Sequence, residues 1–265
     1  VDLGLTDRVA LVTGGSRGIG RAVAAALVRE GAHVALLARH AEALEAVARD
    51  IGRKGTRVLP VVADTSDDAA VRAAVDEVQG TFGRLDIVVN AAARPATAGA
   101  AMGLENIADE DFHHELDTKV LGYLRVVRAA APIMKRAGCG RIVNISGMNA
   151  RLTGSVIGSV RNVAVVALTK NLADELGPHG IAVNAVHPGL TITEGTLERL
   201  GATAVEQGRS VDDLLAELAA ATSSGRVVTA TQVADVVVFL ASGRAVAVDG
   251  ETLAVDGGRR GSIWY

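Results

Sequence analysis

Short aliphatic runs alternate with helical patterns along the whole chain, and this alternation limits the fold more than any other feature. The runs are RVALVTG (8–14), HVALLAR (33–39), RVLPVVAD (57–64), LDIVVNAA (85–92), GRIVNISG (140–147), IAVNAVHPG (181–189) and ETLAVDGG (251–258). Between them lie segments such as GRAVAAALVREG and DDAAVRAAVDEVQGTFG, whose apolar residues repeat with a helical period of about 3.6. Continuous apolar runs suit strands buried on both faces, and the intervening helices supply the crossovers that parallel pairing requires. The expected fold class is α/β, a doubly wound seven-stranded parallel sheet with helices on both faces.

With 265 residues and no linker, repeat or low-complexity tract, the chain reads as one domain over 1–265. That length suffices to bury about 75% of the surface exposed by the unfolded form. The lone cysteine, Cys139, excludes an internal disulfide framework. A net charge of −3 and 2% aromatic residues give neither the basic field nor the stacking platforms of a nucleic-acid binder. The absence of a charged-then-apolar leader, and of an apolar run of about 18 residues, leads us to expect a cytoplasmic protein with no membrane partner. No metal spacing is present: His113 and His114, in DEDFHHELD, read as surface residues. The rhythm breaks once, at 190–229, a polar stretch with two short helical patterns that follows a strand end, where open α/β sheets bind ligands. It reads as a substrate lid or as an ordinary surface excursion.

The first strand leads into TGGSRGIG, Thr13 to Gly20, and at once into a helix. Gly14, Gly18 and Gly20 let the backbone turn tightly, approach a pyrophosphate and pack the helix on the strand, while the helix N-terminus offers free N–H groups to the anion. The strand before and the helix after are the context that this motif needs. The expected dinucleotide contacts from this loop are Gly14, Ser16, Arg17, Gly18, Ile19 and Gly20. An acidic residue ending the second strand would bond a ribose 2′-OH and repel a 2′-phosphate; here Ala38 and Arg39 stand there, with Arg17 in the loop. Two guanidiniums favour NADP(H) over NAD(H) unless they only point to solvent.

The G-x-x-x-G-x-G spacing, NAAA (90–93), GRIVNIS, ALTKNLADEL, GIAVNAVHPGLTIT, VADVVVFLAS and the closing VDGG together resemble the short-chain dehydrogenase/reductase family, in family order and over essentially the whole chain. The resemblance implies a Rossmann fold and an oxidoreductase acting on a small carbonyl or alcohol substrate. It places Asp64 against the adenine, and Asn90, Pro188, Gly189, Ile192 and Thr193 along the nicotinamide half. It also implies a homodimer or homotetramer packed through helices at 105–136 and 158–176.

Members of that family use a Ser, a Tyr and a Lys, with an Asn on the preceding helix. The matching positions here are Gly147, Gly158, Asn162 and Lys119, so all four differ. The chain has two tyrosines, Tyr123 and Tyr265, and neither is followed by a lysine four residues later. The remaining catalytic candidates are Lys119, Asn162, Arg161, Ser146 and His187, with Asn149, Ser155 and Ser159 nearby. Asn162 can bond a ribose without supplying charge, Arg161 can clamp an anionic oxygen, and His187 is the group at that strand end that ordinarily titrates near neutrality. Tyr123 lies four residues after Lys119 and reads either as a relocated acid or as a packing residue. Tyr265 reads as an interface anchor or as a residue lent to a neighbouring subunit. The stretch GSVIGSVRN is expected to leave a roomy pocket edge. Three functions stay open: an NADP(H)-dependent oxidoreductase with a non-standard proton donor, a non-redox enzyme on the same scaffold, and a non-catalytic NADP(H)-binding protein.

Overall fold

A computed structural model of the chain describes residues 1–93 and 104–261. Each of the seven apolar runs contains a strand: β1 (Val9–Thr13), β2 (His33–Ala38), β3 (Val58–Val62), β4 (Ile87–Asn90), β5 (Gly140–Ile145), β6 (Ile181–Pro188) and, last in sequence, β9 (Thr252–Val255). They form one sheet in the order β3-β2-β1-β4-β5-β6-β9, with every pair parallel. The chain winds outward from β1 to β3, then returns to lay β4 on the other side of β1. That reversal opens a crevice beyond the carboxyl ends of β1 and β4, where ligands of such sheets bind.

Alternate strand residues feed two cores. Ala10 and Val12 face one cluster with α1 (Gly18–Arg29), α2 (Ala41–Ile51) and α9 (Ala230–Ala241). Val9 and Leu11 face the other, with α3 (Asp68–Phe82), α5 (Gly122–Ala137) and α6 (Val156–Leu176). The period of two in a strand makes both faces of the sheet apolar, which is why the runs read as continuous.

Two departures from the strand-and-helix rhythm shape the site. Between α4 (Asp109–Glu115) and α5 lies a π-helical turn, Leu116–Leu121, a local widening of the kind often found at functional positions. The polar stretch 190–229 folds as β7 (Thr191–Ile192), α7 (Glu194–Gln207), α8 (Val211–Ala220) and β8 (Val228–Thr229), and β7 pairs with β8 as a separate small sheet. Ser210 and Thr229 start α8 and α9 with capping boxes, so these ends are set by local sequence. Among the described residues no helix is long and apolar enough to cross a membrane, and no group of His, Cys, Asp or Glu could hold a metal ion.

Candidate active site

The loop after β1 is shaped by glycines that tolerate no side chain. A Cβ on Gly20 would lie 2.2 Å from the Gly14 carbonyl oxygen, and Gly14 itself has φ of +66° with its Cβ position 2.8 Å from the Ala91 oxygen. Thr13 Oγ1 ties this loop to the end of β4 by accepting the Ala91 and Ala92 N–H groups, both at 3.1 Å. The result is a cleft of about 1000 Å³ lined by Gly14, Ser16, Arg17, Gly18, Ile19 and Gly20. Arg39, Asp64, Pro188, Gly189 and Thr193 line the same cleft. Arg17 and Arg39 are both exposed. Arg39 Nη1 lies 3.9 Å from Asp64 Oδ2, so a carboxylate does stand near that guanidinium, contributed by the third strand end and not the second. Burial raises the Asp64 carboxyl, but two hydrogen bonds from Ser66 and then Arg39 outweigh it and leave it below its ordinary value.

At the inner end of the cleft the π-helical turn carries Lys119 inward. Its Nζ donates to the Ser146 carbonyl oxygen at 2.8 Å and to Asn162 Oδ1 at 2.9 Å, and the residue is 4% exposed. Asn162 Nδ2 in turn donates to the Gly158 carbonyl at 2.8 Å, and Ser146 Oγ donates to the Asn162 carbonyl at 3.0 Å. Gly147 leaves room for this: a Cβ there would meet Asn162 Nδ2 at 3.2 Å. Both acceptors on Lys119 are neutral, so nothing in contact balances its charge. Burial first and the Arg161 guanidinium second push Lys119 down to about 7, with Glu115 acting in the opposite sense.

The cleft wall above is more occupied than the sequence suggests. Position 158 is not a roomy edge, because the side chains of Asn149 and Ser155 fill it; a Cβ on Gly158 would lie 2.7 Å from each. Ser155 caps α6 by accepting the Gly158 N–H, and Ser159 Oγ donates to the Leu152 carbonyl, so both hydroxyls serve the local backbone. Arg161 is paired with Glu115 of α4 and is not an open anion clamp, although its Nε is buried with no partner among the described residues.

Three other residues lie elsewhere than expected. His187 does not line the cleft: its Nδ1 accepts the Gly147 N–H at 3.3 Å, and burial, then Arg151 and Lys119, lower its pKa to about 4. With Nδ1 accepting from the backbone, it is held as a neutral strut. Asn90 pairs across the strands under α6, its Nδ2 donating to Asn144 Oδ1 at 2.9 Å, and Asn144 continues to Thr169 of α6. Ile192 pairs with Thr229 in the small sheet and does not line the cleft.

Tyr123 does face the same way as Lys119, but its fully buried hydroxyl donates to the Ile145 carbonyl at 2.9 Å and burial raises its pKa steeply. That hydrogen bond and that burial favour the packing reading for this tyrosine, whose side chain borders the cleft. Tyr265 lies outside the described residues. Two acidic residues near the site went unnoticed in the sequence, Glu115 and Glu194. Each acts on a residue far along the chain, Arg161 and Gly18 respectively, and no local motif marks such a pair. His114, Thr118 and Arg199 also line the cleft, so His114 is a surface residue at its rim.

Known proteins match this chain over nearly its whole length. The family model described as Enoyl-(Acyl carrier protein) reductase matches residues 14–260. The Short-chain reductase protein NovJ of Streptomyces niveus is 35% identical over 96% of this chain and 94% of its own. The 3-oxoacyl-[acyl-carrier-protein] reductase FabG of Staphylococcus aureus is 34% identical over 94% of this chain and 96% of its own. Among solved structures, L-sorbose reductase from Gluconobacter frateurii, complexed with NADPH and L-sorbose, superposes with a TM-score of 0.93 at 31% identity, covering 99% of this chain and all of that one. A 3-oxoacyl-[acyl-carrier protein] reductase from Brucella melitensis with bound NAD gives 0.83 at 30% identity, covering 97% of this chain and 92% of that one.

Proposed function

Because the chain belongs to the short-chain dehydrogenase/reductase family, a group of oxidoreductases, we propose that it is an NADP(H)-dependent enzyme of carbonyl or alcohol substrates in which Lys119 handles the proton. The observation that carries this reading is the contact of Lys119 Nζ with Asn162 Oδ1 at 2.9 Å on the cleft floor. The family's lysine position holds an amide and its asparagine position holds an amine. The two have exchanged walls, so an amine remains at the site although it arrives from the opposite side.

The cleft suits a dinucleotide. Gly20 leaves no space for a Cβ beside Gly14, the N-cap residue Arg17 does not cap α1 with its own side chain, and exposed Arg17 and Arg39 stand where a 2′-phosphate would be favoured. Solved relatives hold either NADPH or NAD, so the choice of NADP(H) rests on these arginines. When bound, the cofactor supplies or accepts hydride at the substrate carbon.

Lys119 has three N–H donors, of which two are held by neutral acceptors. In reduction its third N–H donates to the substrate oxygen, and as negative charge develops there the proton crosses, leaving a neutral amine and an alcohol. In oxidation the amine takes that proton back. A group titrating near 7 serves both directions, and a positioned general acid contributes about 10²- to 10⁴-fold. Asn162 fixes Nζ, Ser146 fixes Asn162, and the lid segment 190–229 covers the substrate through Thr196, Arg199 and Leu218. The exposed apolar side chains Val156, Val160 and Val163 on α6 support a homo-oligomer packed through that helix.

The test is incubation of purified protein with NADPH and a panel of conjugated ketones, quinones and keto sugars. The expected result is cofactor oxidation matched one for one by alcohol. Cofactor binding with no oxidation across the panel would leave a non-catalytic binder, and product formed without cofactor loss would mark a non-redox enzyme.

A further inference from the structure

The first turn of α7 reaches across the cleft mouth and closes on the start of α1. Glu194, the first residue of α7, accepts the Gly18 backbone N–H through Oε2 at 3.1 Å and Arg21 Nη1 through Oε1 at 3.0 Å. Arg21 is steadied from behind by Asp50 of α2 at 2.9 Å, and the Thr193 methyl lies 3.6 Å from where a Cβ on Gly18 would stand. One carboxylate therefore faces the free N–H ends of two helices, its own and α1, a setting that favours an anion. Its own backbone N–H first, then the Gly18 N–H and Arg21, hold the Glu194 carboxyl below its ordinary value despite partial burial.

Gly18 belongs to the glycine loop and opens α1, so its N–H is one of those that a dinucleotide phosphate seated on this helix start would use. One N–H cannot serve both partners at full strength. We infer that Glu194 is a displaceable latch, whose carboxylate occupies a phosphate position in the free protein and leaves it when the cofactor binds. The inference rests on reading the glycine loop as a dinucleotide seat. Its consequence is that cofactor binding releases the start of α7, the helix that places Thr196 and Arg199 on the cleft wall. The apparent cofactor affinity is lowered by the fraction of molecules in which the latch is shut.

Titration calorimetry with NADPH and NADH on the wild type, Glu194→Ala and Glu194→Asp tests this, together with hydrogen exchange of the α7 start. The aspartate keeps the charge but is one methylene too short for the Gly18 N–H. Both variants are expected to bind tighter by roughly 3- to 10-fold, and cofactor is expected to speed exchange at 193–197 in the wild type. Tightening in Glu194→Ala alone would mean simple charge repulsion and overturn the latch. So would unchanged or weaker binding in both variants while the wild type still binds cofactor. If no form binds either dinucleotide, the cofactor reading fails and the latch falls with it.

Discussion

Lys119 and Asn162, far apart in the chain, meet in one buried hydrogen bond. The amine reaches the cleft floor from the π-helical turn, and the amide that receives it stands on α6. Asn162→Lys alone would set a second ammonium against the first where Nζ and Oδ1 now meet at 2.9 Å, an unpaired buried charge that costs about 1–3 kcal/mol or more. Adding Lys119→Asn should recover most of that loss, giving a coupling of roughly 0.5–3 kcal/mol in denaturant unfolding; additivity within about 0.5 kcal/mol would show that the two positions do not communicate. His187 gives a separate expectation. Its folded value of about 4 lies below the ordinary 6.5, so the unfolded chain binds more protons between these limits. Stability contributed by neutral His187 is therefore full above pH 6.5 and is lost as pH falls toward 4, and His187→Asn should flatten that part of the stability curve.

At the level of elements, the start of α1 and the start of α6 impose opposite demands on glycine. Gly20 is required by backbone, since its Cβ position lies 2.2 Å from the Gly14 oxygen; Gly20→Ala should displace the loop and weaken dinucleotide binding by at least about tenfold in a fluorescence titration. Gly158 is crowded by side chains, and Gly158→Tyr must expel Asn149 and Ser155 before its phenol can enter. Introducing a tyrosine there is expected to lower stability without raising turnover. The strands, their parallel pairing and the glycine loop were legible because each depends on short-range pattern: apolar runs, helical period, and turns next to them. The cleft's first wall followed from those. The direction of Asn90 and His187 did not, because strand side chains alternate and a residue one place out of phase turns to the other face, and Ile192 did not because the pairing of β7 with β8 joins distant parts of the chain. Glu115 and Glu194 were hidden because their partners Arg161 and Gly18 are brought near only by the sheet's crossovers, and the π-helical turn that aims Lys119 has no composition signal.

On the scale of the whole molecule, one cleft at the reversal of strand order gathers the glycine loop, part of the segment 190–229 and the floor formed by β5, α6 and the π-helical turn. A dinucleotide that binds only the folded form should raise the melting temperature with concentration, and at about 100 times its Kd the gain is about 2.7 kcal/mol. The central claim is that the proton passes through Lys119. The most direct measurement is single-turnover hydride transfer from NADPH to a reducible ketone, followed across pH in the wild type and in Lys119→Met. The wild-type rate should be high below about 7 and fall above it as the ammonium is lost, while Lys119→Met should be slower by about 10²- to 10⁴-fold and lack that descending limb. A Lys119→Met enzyme with the wild-type rate and the wild-type pH profile would contradict it.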